Sequence, residues 1–189
     1  MKLILVRHGE TEGNVRGIMQ GHLPGKLTKK GIEQAKKLAL RLKDEKINAI
    51  YSSDLKRASD TAKEIAEYHK NVPLKFVKEL REGDIGSFSG KKAEEIKGKP
   101  YPDDAENLKD MRKRAKIFLD KVYEKHKNHT ILLISHGRIS EVLITIILNK
   151  PLNYLEELGH LKNTSVNIFE IKEDKKHKVH LLNCTKHLE

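Results

Sequence analysis

Short apolar runs rich in β-branched residues, at 2–6, 47–51, 130–135, 165–171 and 178–183, alternate along much of the chain with longer amphipathic stretches. This alternation restricts the possible folds more than any other feature. Strands joined by helical crossovers run parallel, and the helices then cover both faces of the sheet. Helices are predicted from the N-cap Thr28 to about Lys43, from Asp54 to Tyr68, from Ala105 to Lys125, and from Ile139 to Leu148 ahead of Pro151. Ile32, Ala35, Leu38 and Leu42 mark the apolar face of the first. Leu108, Met111, Ala115, Phe118 or Leu119, and Val122 mark that of the third. Ser53 or Asp54 is the expected cap of the second. Only Glu173-Asp174-Lys175-Lys176 separates the last two runs, which therefore read as a hairpin. The expected fold is a three-layer α/β/α domain with a mostly parallel, mixed sheet and an antiparallel edge. Its 189 residues fit a single domain, 1–189.

Composition narrows the function classes. The longest apolar run, Val142 to Leu148, is far short of the roughly 20 residues that span a bilayer. The opening apolar run meets Arg7-His8 too soon to be a secretory signal, and a cytoplasmic location is expected. A lone cysteine, Cys184, excludes an intramolecular disulfide and a multi-cysteine zinc site. It lies in an apolar stretch and reads as a small core residue with nothing nearby to lower its pKa. Lys and Arg total 38 against 27 Asp and Glu, a net charge of +11. The lysines are interleaved with acids, and no basic stripe carries aromatics at stacking intervals, so no nucleic-acid partner is expected. Such a surface suits small anionic molecules.

Four segments carry chemistry. Arg7-His8-Gly9-Glu10-Thr11 follows the first strand directly, and the strand Thr130–Ser135 ends in His136-Gly137. Two histidines thus stand at the carboxyl ends of two strands, each before a glycine that lets backbone approach a ligand. Ser52-Ser53-Asp54-Leu55-Lys56-Arg57 brings Arg57 into the first turn of a helix, where anions bind. Leu80 to Gly90 is a glycine-rich loop that carries a carboxylate, Glu82, beside Arg81. A nucleophile, two guanidiniums, a second imidazole and a proton donor together fit phosphoryl transfer through a histidine. No metal site is expected, because only two histidines converge and the arginines beside them repel a cation.

The RHGET opening, Asn14, the SSDLKRASDTA segment, the LRE-x3-G-x3-G loop and the SHG after a strand occur in this order. On these motifs the chain, from Leu3 to about Ile171, resembles the histidine phosphatase superfamily, also called phosphoglycerate mutase-like. The resemblance implies that His8 takes the phosphoryl group while Arg7, Arg57 and His136 clamp its oxygens. It assigns Glu82 as acid and then base, Asn14 as a further phosphate contact, and Gln20 and Gly21 to a substrate-side loop, with Gly137 beside the phosphate. Leu23-Pro24-Gly25-Lys26 departs from the commoner acidic spacing before Leu27-Thr28. Glu106 falls where relatives open their third helix with an acid, and His22 and His160 lie in loops that can overlook the pocket. His69, His126, His129, His177, His180 and His187 read as solvated, as do Lys29-Lys30 and Lys175-Lys176. The implied activity is a metal-independent phosphomonoesterase with no cofactor, acting on a phosphosugar, phosphoserine or α-ribazole phosphate. The alternative is a cofactor-dependent (2,3-bisphosphoglycerate) phosphoglycerate mutase, which would use the same residues; the short stretch between Glu82 and His136 favours hydrolysis. No membrane partner is expected, and the antiparallel edge offers a homodimer contact.

Overall fold

The computed structural model describes residues 1–174 and 176–189. Lys175, read from the sequence as part of a solvated turn, lies outside the described residues. Among those described, the strands are β1 (Lys2–Arg7), β2 (Ala49–Ser53), β3 (Leu74–Val77), β4 (Thr130–Ser135), β5 (Val166–Glu170) and β6 (Lys178–Cys184). The α-helices are α1 (Glu12–Val15), α2 (Lys29–Leu42), α3 (Lys56–Ala66), α4 (Ala93–Ile96), α5 (Leu108–Lys125), α6 (Gly137–Ile147) and α7 (Leu155–Leu158). The sheet has the order β3-β2-β4-β1-β5-β6. Strands β1 to β4 pair in parallel, while β5 runs antiparallel to β1 and β6 antiparallel to β5. The mixed sheet and its antiparallel edge are as expected.

Parallel strands buried on both faces read as unbroken apolar runs, and β1 and β4 show why. Leu3 and Leu5 of β1, with Ile131 and Leu133 of β4, enter the core under α5 and α6. The alternate residues, Ile4 and Val6 with Leu132 and Ile134, enter the second core under α2 and α3. Among the described residues no helix is long and apolar enough to cross a membrane.

Several boundaries differ from expectation for local reasons. Strand β3 was not predicted: it has only four residues, follows Pro73, and leaves Lys75 and Phe76 exposed at the sheet edge. Helix α3 starts at Lys56 after Leu55 without a side-chain cap. Asp54 turns away to a two-bond pair with Arg81, and Ser53 Oγ accepts the Leu55 N–H. Asn107, not Ala105, opens α5, its Oδ1 accepting from Lys109 and Asp110 N–H. Helix α6 begins at Gly137, two residues earlier than predicted. Thr28 caps α2 as expected through Gly31 N–H. The faces shift slightly: Ile32 and Leu108 are exposed, and Gln34 and Ala39 join the buried side of α2. The loop-rich stretches 9–27 and 82–104 contain α1 and α4.

Gly31 explains how the loop after β1 is held down. A Cβ there would stand 2.0 Å from the Glu10 carbonyl oxygen, and one on Gly9 would stand 2.5 Å from the Gly31 oxygen. Two glycines thus let α2 and the loop touch backbone to backbone. Alanine normally favours a helix over glycine by about 1 kcal/mol. Gly31→Ala should nonetheless destabilise the protein by about 1–3 kcal/mol, because the loop must move. A lowered urea midpoint at unchanged slope is the expected result; a raised midpoint would mean that the loop yields at no cost.

Candidate active site

The register of the parallel strands assembles the site. Arg7 of β1 pairs with Ser135 of β4, so His8 and His136, one residue further on, come out side by side. His8 N–H donates to the Ser135 carbonyl at 3.0 Å. The two rings lie edge to face, with centroids 5.2 Å apart and planes at 61°. Both histidines are buried.

The tautomer of His8 follows from its neighbour. Its Nδ1 lies 2.7 Å from the Gly9 carbonyl, which can only accept, so Nδ1 carries the proton and Nε2 presents a lone pair. Burial, then the charges of Arg57 and Arg7, push the His8 pKa well below the usual imidazole value. Burial, then Arg57, His8 and Arg7, does the same to His136. A neutral ring with a free lone pair is what a nitrogen nucleophile requires.

Arg57, 1 % exposed, reaches out of the first turn of α3. Its terminal nitrogens donate to the carbonyls of Leu23 and Gly21, each at 2.8 Å. Burial lowers its pKa to about 10, so it remains a cation at neutral pH. Gly21 takes φ +47°, and a Cβ there would meet Ile85 Cγ1 at 2.7 Å, so glycine is needed to aim its carbonyl. The departing 23–26 segment thus supplies a backbone acceptor for Arg57. Arg7 donates to the Leu161 carbonyl. The Nε of Arg7, the Nε of Arg57 and the Nδ1 of His136 are buried without any partner. Three such nitrogens near His8 suit an anion with several oxygens.

Glu82 closes the arrangement from the loop after β3. Its Oε1 accepts from Gly83 and Ile139 N–H and its Oε2 from Arg138 N–H, all at 3.1 Å. The carboxylate therefore caps α6, whose N-cap residue His136 makes no side-chain cap bond. Oε2 accepts one bond against two at Oε1, so it is the freer of the two oxygens. A Cβ on Gly137 would project between Arg7 Nε at 3.7 Å and Glu82 Oε2 at 3.8 Å. Glycine keeps that approach open.

The other sequence-derived residues divide. Asn14 Oδ1 accepts from Thr11 N–H at 3.1 Å and from Asn163 at 3.3 Å, while Asn163 also donates to the His8 carbonyl. Gln20 donates to Thr11 Oγ1 at 2.9 Å, and its Oε1 is buried without a partner. His22 Nε2 lies 2.8 Å from the Glu82 carbonyl. Glu106 precedes α5 instead of opening it and pairs with Arg114, which also donates to the Glu79 and Glu82 carbonyls. His22 and Glu106 share a side cavity of about 290 Å³ with Arg81 and Arg114. His160 lines an open cleft of about 400 Å³ that also touches Arg7, Glu10 and Asn163.

Two histidines read as solvated are buried. His69 packs with its Nε2 3.1 Å from the Leu42 carbonyl, and His126 sits 2.9 Å from Tyr51 Oη. His177 and His187 are half-buried, and burial, then Arg41 and Lys37, lowers His187 to about 4. His129 and His180 are exposed as expected. Cys184 is only half-buried, and its pKa is lowered by the Lys186 backbone N–H and further by Arg41, against the sequence reading. Sequence reasoning missed Ser53, whose Oγ lies 2.8 Å from His136 Nε2, and the Arg81–Asp54 and Arg114–Glu106 pairs that fix the Glu82 loop. For Ser53 a signal existed: it lies at the carboxyl end of a strand, as the histidines do. Among the described residues no group of three His, Cys, Asp or Glu side chains is arranged to hold a metal ion.

The profile of the histidine phosphatase superfamily (branch 1) matches residues 3–185, and the chain belongs to that superfamily. Among its relatives, phosphoserine phosphatase 1 of Hydrogenobacter thermophilus is 37% identical over 205 residues, covering 100% of this chain and 94% of that protein. The adenosylcobalamin/α-ribazole phosphatase of Salmonella typhimurium is 30% identical, covering 80% of this chain and 81% of its own length. Among solved structures, Bacillus stearothermophilus YhfR superposes with a TM-score of 0.92 at 30% identity, covering 100% of this chain and 99% of that one.

The buried histidines make stability depend on pH with a definite sign. Their folded pKa values lie below the unfolded value of about 6.5, so the unfolded chain binds more protons between the two. Their contribution is complete above about pH 6.5 and is lost progressively as pH falls toward the folded values. A lower urea midpoint at about pH 5.5 than at about pH 7.5 is expected. His136→Asn should reduce that loss. An undiminished loss would assign it to His8, or to His126, His177 and His187, which are lowered as well.

Proposed function

We propose that the protein is a phosphatase of small phosphorylated metabolites that works through a phosphohistidine at His8. One observation carries the mechanism: the lone pair of a neutral His8 stands among buried, unpartnered nitrogens of Arg7, Arg57 and His136. In the first step His8 Nε2 attacks phosphorus and the ester P–O bond breaks in line. Glu82, protonated, gives its proton to the leaving alkoxide. In the second step the Glu82 carboxylate takes a proton from water as the oxygen attacks phosphohistidine, which releases phosphate and restores His8. Charge on the equatorial oxygens meets the two guanidiniums and His136, where one such donor is typically worth about 10²–10³ in rate. Asn14 and Gln20 stand beside this centre as further polar contacts, Gly21 offers its carbonyl to Arg57, and Gly137 leaves space between Arg7 and Glu82. Relatives named for phosphoserine and for α-ribazole phosphate support a small phosphomonoester as substrate. They do not favour the mutase alternative.

An acid-labile, base-stable phosphoenzyme should form when the protein is mixed with phosphoserine or another turned-over ester and quenched rapidly. It should form equally in excess EDTA and be absent in His8→Asn. Turnover with no trapped phosphoenzyme would overturn the covalent route.

Glu82→Gln separates proton donation from positioning. Glutamine retains one oxygen for the Gly83 and Ile139 N–H groups but donates no proton. Single-turnover phosphoenzyme formation should slow by about 10²-fold or more for an alkyl phosphate and little for nitrophenyl phosphate, whose leaving group needs no proton. Equal losses for both would assign Glu82 a purely positioning role.

A further inference from the structure

From the sequence Ser53 is only a candidate helix cap, yet it is fully buried against His136. We propose that Ser53 fixes His136 in the tautomer that carries its proton on Nδ1, so that a neutral imidazole donates a hydrogen bond to the bound phosphoryl group. This rests on the phosphohistidine reading above and concerns how its second imidazole is made a donor.

Counting donors and acceptors around Ser53 decides between the two tautomers. A serine hydroxyl has one proton to give and two lone pairs. Ser53 Oγ already accepts the Leu55 N–H at 3.2 Å, and its other partner is His136 Nε2 at 2.8 Å. If Nε2 carried the proton, Ser53 would accept twice, and its own O–H would be buried without an acceptor. Leaving a buried donor unpaired typically costs about 1–3 kcal/mol. If Nε2 is instead the acceptor, Ser53 donates to it and accepts from Leu55, and every group is used. The proton of the neutral ring then belongs on Nδ1, the atom that is buried with no partner in the protein.

Both histidines thus hold the same tautomer and do opposite work. His8 spends its Nδ1–H on the Gly9 carbonyl and turns a lone pair to the phosphorus. His136 has its lone pair satisfied by Ser53 and turns an N–H to the oxygens. A neutral donor suits a pocket that already holds two guanidiniums, because a third positive charge would have to be buried beside them. Without the hydroxyl the ring is free to present a lone pair to a phosphate oxygen, which repels it. Ser53 is accordingly a positioning residue.

The decisive measurement is the long-range ¹H–¹⁵N NMR spectrum of the ligand-free native protein near neutral pH, with His136 assigned by its absence in His136→Asn. The expected pattern has the proton on Nδ1 alone. A proton on Nε2, or on both nitrogens, overturns the proposal even if His8 forms a phosphoenzyme, so the two readings fail separately. Ser53→Ala should shift the His136 pattern toward Nε2–H and lower kcat by about tenfold or more with a smaller change in KM. Vanadate affinity should fall in parallel, because vanadate offers its oxygens to the same donor. Ser53→Thr, which restores a hydroxyl, should recover the Nδ1 pattern and much of kcat. An alanine variant with unchanged tautomer and rate would refute the assignment, and the native spectrum decides the tautomer even if that variant fails to fold.

Discussion

Arg7 faces Ser135 across the β1–β4 ladder, and the His8 N–H extends the pairing by one more bond to the Ser135 carbonyl. Everything at the site hangs on that pairing. It sets the two imidazoles edge to face, and through β2 it delivers Ser53 to the far nitrogen of one of them. The interior of these strands cannot choose the register by polarity, because both faces are apolar. The choice falls to the polar ends. Lys2 N–H meets the His129 carbonyl at one end, and His8 N–H meets the Ser135 carbonyl at the other. The residues that set the alignment and the residues of the proposed site are therefore neighbours in the chain.

Around this frame the protein buries charge only where it can be met. A buried guanidinium is costly unless its N–H groups find acceptors. Arg57 finds two carbonyls in the loop after β1, and Arg7 finds one ahead of β5. Each arginine nevertheless keeps its Nε free. Outside the centre the balance is local. Arg81 holds Asp54 and Arg114 holds Glu106, both as two-bond pairs flanking the Glu82 loop. Glu82 itself satisfies the first turn of α6, so the carboxylate is held by the same helix whose N-terminus it caps.

Much of this was legible in the sequence because the chemistry lies in short contiguous motifs at strand ends. Arg7, His8, Arg57, Glu82 and His136 were all singled out, and they come together. What could not be read depends on contacts between distant segments. His69 and His126 sit in lysine-rich stretches, and their burial comes from Leu42 and Tyr51 on other elements. Asp54 looked like a helix cap because its partner, Arg81, lies 27 residues away. Strand β3 was hidden by its exposed edge and its four residues. Ser53 was visible as a strand-end residue, but its importance rests on a ring nitrogen 83 positions later.

The hold on Arg57 has a consequence for how such a protein can diversify. The acceptors are main-chain carbonyls, which every amino acid possesses. Gly21 is confined by its positive φ and by Ile85, but the side chain of Leu23 is exposed and takes no part in the bond. Mutation can therefore rewrite the chemical face of this loop while the guanidinium stays where it is. Recognition of the rest of the substrate is free to drift, and the phosphate end is insulated from that drift.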